Sequence, residues 1–138
     1  MVDEALPEAD RLEGAPHPRH TASLYGQGAA EAAFLEAFAS DRLHHGWLLT
    51  GPRGIGKATL AWRIARLLLE ERDAGLFGGP PETLAVPPDA PVFRQVAALA
   101  EPRLALCRRA WDEKTKRLKT ALTVDEVRKL KSFFALSA

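Results

Sequence analysis

Apolar positions along the chain fall into blocks, and the spacing within each block indicates its element. Ala33, Phe34, Leu35 and Phe38 share one broad face at helical spacing, which predicts a first helix over residues 29–40. Trp47, Leu48 and Leu49 form a continuous apolar run that stops at Thr50 and is expected as a strand. From Lys57 onward Leu60, Ala61, Ile64, Leu67 and Leu68 recur at steps of three and four, with Arg63, Arg66 and Glu70 expected on the outer face of a second helix. Residues 92–100 predict a short helix ended by Pro102, and residues 104–107 a second strand. Thr123 and Glu126 have capping-box spacing ahead of a last helix reaching Leu136, with Val127, Leu130, Phe133 and Phe134 expected as its buried stripe.

Two stretches break this rhythm. Residues 1–20 are rich in acids, prolines and small side chains without an apolar period, so they predict a disordered leader. Residues 73–91 hold Gly75, Gly78, Gly79, Pro80, Pro81, Pro87, Pro88 and Pro91, a density that predicts a long mobile loop within the domain of residues 21–138.

Composition narrows the class. With 138 residues, 46% hydrophobic and 27% charged, the chain is of single-domain size with an ordinary globular balance. No apolar run is long enough to cross a membrane and the acidic N-terminus does not resemble a signal peptide, so a cytoplasmic protein is expected. Cys107 alone provides neither an internal disulfide nor a cysteine-built zinc site, and it is expected as a small buried apolar side chain. The histidines, His17, His20, His44 and His45, have no acid or cysteine at ligand-like spacing, and no metal site is expected from them. The net charge of +1 conceals a gradient: residues 1–50 carry eight acids against three arginines, and residues 101–138 carry ten basic side chains against five acidic ones. Lys114, Lys116, Arg117 and Lys119 therefore offer a surface for an acidic partner or DNA, with a solvated loop as the plainer reading.

The chemistry concentrates at Gly51, Pro52, Arg53, Gly54, Ile55, Gly56, Lys57, Ala58 and Thr59. The spacing from Gly51 to Lys57 is that of a phosphate loop between a strand and a helix. Glycines allow consecutive backbone N–H groups to approach an anion closely, and the lysine adds a point charge for the outer phosphates. The pattern departs at one position. The residue after the lysine ordinarily supplies a hydroxyl to Mg²⁺, and here it is Ala58. Thr59 offers its hydroxyl one residue late, about 100° around the helix. Phosphate contact and metal-dependent hydrolysis are therefore separable here, and a glycine-rich turn with no ligand stands as the plain alternative.

The ordered combination of L-Y-G-Q at 24–27, R-L-H-H-G-W-L-L-T-G-P-R-G-I-G-K-A-T-L-A at 42–61, and D-E-K-T-K-R-L-K-T with T-V-D-E-V-R-K-L within 112–130 resembles the N-terminal part of the AAA+ clamp loader family of bacterial DNA polymerase III. The resemblance implies an α/β fold, a three-layer αβα P-loop NTPase domain of which this chain holds the N-terminal portion, with its parallel sheet incomplete. The expectation is then a fragment of a longer protein, or an oligomer that completes the sheet by exchange. It also implies a hetero-oligomeric ring with gamma, tau and delta subunits, an indirect link to the sliding clamp and primed DNA, and no membrane. ATP is the implied ligand of residues 51–59, held without hydrolysis because Ala58 lacks the Mg²⁺ hydroxyl; no catalytic residue is assigned. Many relatives carry a four-cysteine zinc module that this sequence lacks, and no residue here corresponds to the family's acidic strand motif, sensors or arginine finger. An active P-loop ATPase, either a clamp loader motor or a DNA-repair AAA+ protein, is the rival reading, and a small phosphotransferase a third.

Overall fold

The computed structural model describes residues 6–70 and 79–136. The chain divides into two compact units, Pro18–Glu101 and the combination of Met1–His17 with Pro102–Ala138.

In the first unit, α1 (Gly28–Ala39), α2 (Lys57–Leu69) and α3 (Pro91–Ala97) surround the core, and a short 3₁₀ turn, Pro18–His20, packs on α2 and α3. Phe34 of α1, Leu60 and Leu67 of α2, and Leu84 form the buried centre, with Leu24, Leu35, Phe38, Leu49 and Ile64 packed around it. Trp47 meets Phe34 edge-on at 5.2 Å between ring centroids, an arrangement that the aromatic quadrupole favours. Both α1 and α3 close with a residue in the left-handed region, Asp41 and Leu99, each with φ of 56°. Arg42 N–H then bonds Ala37 O at 3.0 Å and Ala100 N–H bonds Gln95 O at 2.9 Å, which satisfies carbonyls that the helix ends would leave free.

The orientation of α2 differs from the apolar period. Arg63 and Arg66 are buried, at 7% and 1% exposure, whereas Ala61 and Leu68 face outward. Backbone carbonyls provide the reason. Arg66 donates to Arg19 O at 3.0 Å and Thr21 O at 2.8 Å, while Arg63 donates to Ala22 O and pairs with Glu31 at 2.9 Å. A buried guanidinium whose donors are filled in this way avoids most of the desolvation cost that would otherwise keep it outside.

Within the stretch expected as a loop, residues 71–78 lie outside the described residues. Residues 79–90 are irregular yet anchored, because Leu84 and Val86 are buried at 1% and 4% exposure. Residues 47–50 and 104–107 are not paired as strands: among the described residues the only ladder is antiparallel, β1 (Trp111–Asp112) with β2 (Arg117–Leu118). An apolar run becomes a strand only when a neighbour supplies its hydrogen bonds, and none lies beside these segments.

The second unit holds that hairpin and α4 (Val124–Leu136). Its tight turn is fixed by Lys116 N–H to Asp112 O at 2.8 Å and by Lys114 N–H to the Asp112 carboxylate at 2.9 Å. The Thr123 hydroxyl accepts from Glu126 N–H at 3.4 Å, as the capping-box spacing implies. The expected stripe on α4 is not buried: Val127 and Phe134 are 51% and 66% exposed, and Leu130 and Phe133 are only partly covered. Every buried apolar side chain among the described residues belongs to the other unit, so this unit has no apolar floor for α4 to cover.

The stretch expected as a disordered leader has defined contacts over its described residues. Arg108 Nη1 bonds Glu8 at 2.8 Å and Asp10 at 2.9 Å, and His17, 2% exposed, lies 2.7 Å from Asp10. Arg108 lies 91 to 100 positions from the other three, which hides its part in the cluster from any reading based on local spacing.

Candidate phosphate-binding loop

The loop follows residues 47–50 and enters α2 through two glycines with positive φ, Gly54 at 88° and Gly56 at 101°. Gly56 is the residue that caps α2, in the left-handed region. A side chain there would be strained by the dihedral, and its Cβ would collide with Cδ1 of Leu24. The dihedral is what requires glycine, while the end of the Leu24 side chain would have to shift for any Cβ.

The helix begins with Lys57, and its first backbone bond is Leu60 N–H to Gly56 O at 2.9 Å. The amides of Lys57, Ala58 and Thr59 have no acceptor among the described residues, as expected of a first turn with no side-chain cap. Together with the helix dipole they leave partial positive charge at this end of α2.

Lys57 folds back over the loop. Its Nζ donates to Gly51 O at 2.6 Å and Pro52 O at 2.8 Å, which ties the lysine to the carbonyls that begin the turn. An ammonium held by neutral carbonyls at a solvent-exposed position can exchange them for phosphate oxygens, since a bond between two charged groups is the stronger. Ala58 and Thr59 are half-buried in the first turn of α2, and Ala58 brings no oxygen to the position where a Mg²⁺ ligand is ordinarily found.

A cavity of about 230 Å³ opens beside the loop, with Leu48, Leu49, Ile55 and Leu60 as apolar walls and Gln27, Thr50 and Lys57 as polar ones. Gln27, which the site expectation did not include, donates through Nε2 to Ile55 O at 3.1 Å. Its place in the L-Y-G-Q turn was visible in the sequence, but nothing in the turn pattern linked it to the loop.

The structure thus brings Gly51, Pro52, Gly56, Lys57, Ala58 and Thr59 into one turn, with Lys57 as its clasp. Arg53 and Gly54 are exposed on the outside of that turn, and Ile55 contributes a cavity wall. Elsewhere, Glu8, Asp10 and His17 bring ligand atoms within 4.8 Å of one another, an arrangement the histidine spacing did not predict. Arg108 already provides a cation to both carboxylates of that cluster.

Comparison with known proteins gives a partial likeness. The chain is 39% identical over 51 residues to DNA polymerase III subunit gamma of Buchnera aphidicola, in the strains from Acyrthosiphon pisum and from Schizaphis graminum. The match covers 37% of this chain and 14% of each relative, so the chain spans about one seventh of the length of the curated relatives it matches. No protein-family model matches, and no solved structure matches. The likeness is confined to that stretch and is to a subunit of DNA polymerase III. No helix among the described residues is long and apolar enough to cross a membrane.

Proposed function

We propose that residues 51–59 hold the phosphates of a nucleotide, ATP, without hydrolysing it, and that the chain acts in a bacterial DNA polymerase III clamp loader as a subunit of the delta prime kind. The observation that carries this reading is Lys57 held across the turn by Gly51 O and Pro52 O, beside the unpartnered amides of Lys57, Ala58 and Thr59. A phosphate cradle needs a cation and a set of open N–H donors, and these groups supply both kinds. The metal side is depleted, because Ala58 stands where a hydroxyl would be needed.

In this reading residues 47–50 are the first strand of a parallel αβα sheet of the AAA+ kind, and the strands that flank it are not among the described residues. Gamma, tau and delta subunits are the proposed neighbours in a cytoplasmic ring, with the sliding clamp and primed DNA reached through them. A nucleotide-hydrolysing clamp loader subunit is the second reading. It is favoured by the Buchnera relatives, which are gamma subunits.

Equilibrium binding of ATP with and without Mg²⁺, alongside phosphate release, tests both readings. Binding indifferent to Mg²⁺ with no release supports the inert subunit. Mg²⁺-dependent release abolished by Lys57→Ala supports the ATPase, and no binding under either condition overturns both.

A further inference from the structure

The segment just before α1 touches the loop at two adjacent residues. Leu24 packs its side chain against Gly56, and Gln27 donates from Nε2 to Ile55 O at 3.1 Å. Gln27 occupies the cap position of α1 yet makes no side-chain bond to that helix. Its amide is committed to the loop instead. Among the described residues, no other side chain from outside the loop bonds the backbone of residues 51–56.

We propose that Gln27 is a positioning residue of the phosphate loop: it fixes the plane of the Ile55–Gly56 peptide and so aims the amides that enter α2. This inference rests on the phosphate-binding reading above. The carbonyl of Ile55 and the N–H of Gly56 belong to one planar group, so holding the oxygen sets the direction of the hydrogen. Gly56 has φ of 101° and immediately precedes the free amides of the first turn, so a rotation of that peptide would re-aim the whole donor set. Glycine resists such rotation least of all residues. Ile55, 38% exposed, is too lightly packed to hold the peptide by itself. Gln27 also borders the cavity that Lys57 lines, so the tether lies beside the cation.

The test compares Gln27→Met, Gln27→Glu and Gln27→Lys in the full chain. Methionine matches the length of glutamine without a donor, glutamate matches its shape without an N–H, and lysine keeps a donor able to reach Ile55 O. The first readout is the ¹⁵N shift of the Gly56 amide in the ligand-free protein, which senses hydrogen bonding to the carbonyl of its own peptide group. It is expected to move in the methionine and glutamate variants and to return toward wild type with lysine, at an unchanged unfolding midpoint. The second readout is calorimetric binding of inorganic tripolyphosphate, expected to weaken about three- to tenfold in Gln27→Met, the range that follows from one lost hydrogen bond. Rescue by lysine is judged on the shift alone, because its charge also raises anion affinity. A Gly56 signal unmoved by Gln27→Met, or moved equally by methionine and lysine, overturns the proposal. Wild-type protein that ignores tripolyphosphate overturns the phosphate reading, while the Gly56 shift still decides whether Gln27 fixes the loop.

Discussion

The guanidinium carbon of Arg66 lies 4.3 Å from the centroid of the Phe93 ring, so a fully buried cation forms the seam between α2 and α3. Burial, and then the charge of Arg63, draws the Arg66 pKa down to about 10, which leaves the group protonated at neutral pH. Its stabilising role lies in the hydrogen bonds it donates to the carbonyls of Arg19 and Thr21. Arg66→Met keeps the apolar contact with Phe93 but removes both of these charged hydrogen bonds. It is expected to destabilise the chain by about 3 kcal/mol, the scale for losing charged bonds to buried groups. Arg66→Lys, able to reach one carbonyl, should fall between. Urea unfolding midpoints give the ranking, and a methionine variant as stable as wild type would show that these bonds contribute nothing.

Gly56 and Leu24 make a separable pair. Gly56→Ala places a side chain at φ of 101° and against Leu24, so two costs combine. The expected loss is about 2–3 kcal/mol, of which backbone strain is about 1–2. Leu24→Ala in the same chain should return part of the loss by removing the clash, leaving the dihedral cost in place. A double-mutant cycle by thermal unfolding measures this, and a coupling energy of zero would mean that the two residues do not meet.

How far these features were legible in the sequence depends on the reach of the forces behind them. The start of α2 at Lys57 and the capping by Thr123 follow from nearest neighbours, and the pattern located them, whereas α3 stops at Ala97, short of the expected residue 100, where Leu99 turns to positive φ. The inward turn of Arg63 and Arg66 did not follow, because periodicity ranks arginine as an outer residue and cannot register carbonyls arriving from residues 19–22. The bond from Gln27 to Ile55 spans 28 positions and left no local signature. The hairpin of Trp111 and Leu118 was concealed by its charges, since a run of lysines reads as solvated loop whether or not its ends pair.

The Asp10 carboxyl supplies a pH prediction. Burial raises its pKa, but the Arg108 bond and the charge of His17 outweigh that and hold it below the usual aspartate range. A depressed folded pKa means stability that is fully present above the unfolded value, about 3.9, and is lost as pH falls through the folded one. Asp10→Asn is therefore expected to destabilise the unit of Met1–His17 and Pro102–Ala138 by about 1–3 kcal/mol at pH 7. The gap to wild type should begin to narrow below about pH 4, near the unfolded value, and vanish only once pH has passed the lower folded one. Amide exchange of α4 and the hairpin as a function of pH reads this unit directly, and a gap that stays constant down to pH 2 would remove the ion pair from the account.

Leu99, half exposed at the C-terminal end of α3, has φ of 56° with a branched side chain. Leucine in that region costs about 1–2 kcal/mol, whereas glycine pays about 0.5–1 in chain entropy. Leu99→Gly should thus stabilise the protein by about 0.5–1 kcal/mol while Ala100 N–H keeps its bond to Gln95 O. Thermal unfolding checks the sign, and a lower midpoint would show that the Leu99 side chain contributes more through packing than its backbone costs.

Ala58→Thr addresses the metal side of the loop. The substitution restores a hydroxyl directly after Lys57, the position from which Mg²⁺ is ordinarily bound between outer phosphates, and Ala58 lies half-buried in the first turn of α2. Threonine costs only a few tenths of a kcal/mol more than alanine in a helix, so the fold should tolerate it. On the proposed reading, ATP binding becomes Mg²⁺-dependent and about tenfold tighter with the metal, equivalent to about 1.4 kcal/mol. The proposed reading keeps phosphate release absent, because a restored metal ligand does not by itself position the attacking water. Titration with and without Mg²⁺ decides between outcomes. An affinity that remains indifferent to the metal would mean that the hydroxyl is not what this loop lacks, and release appearing in Ala58→Thr would mean that the water-positioning group is already present.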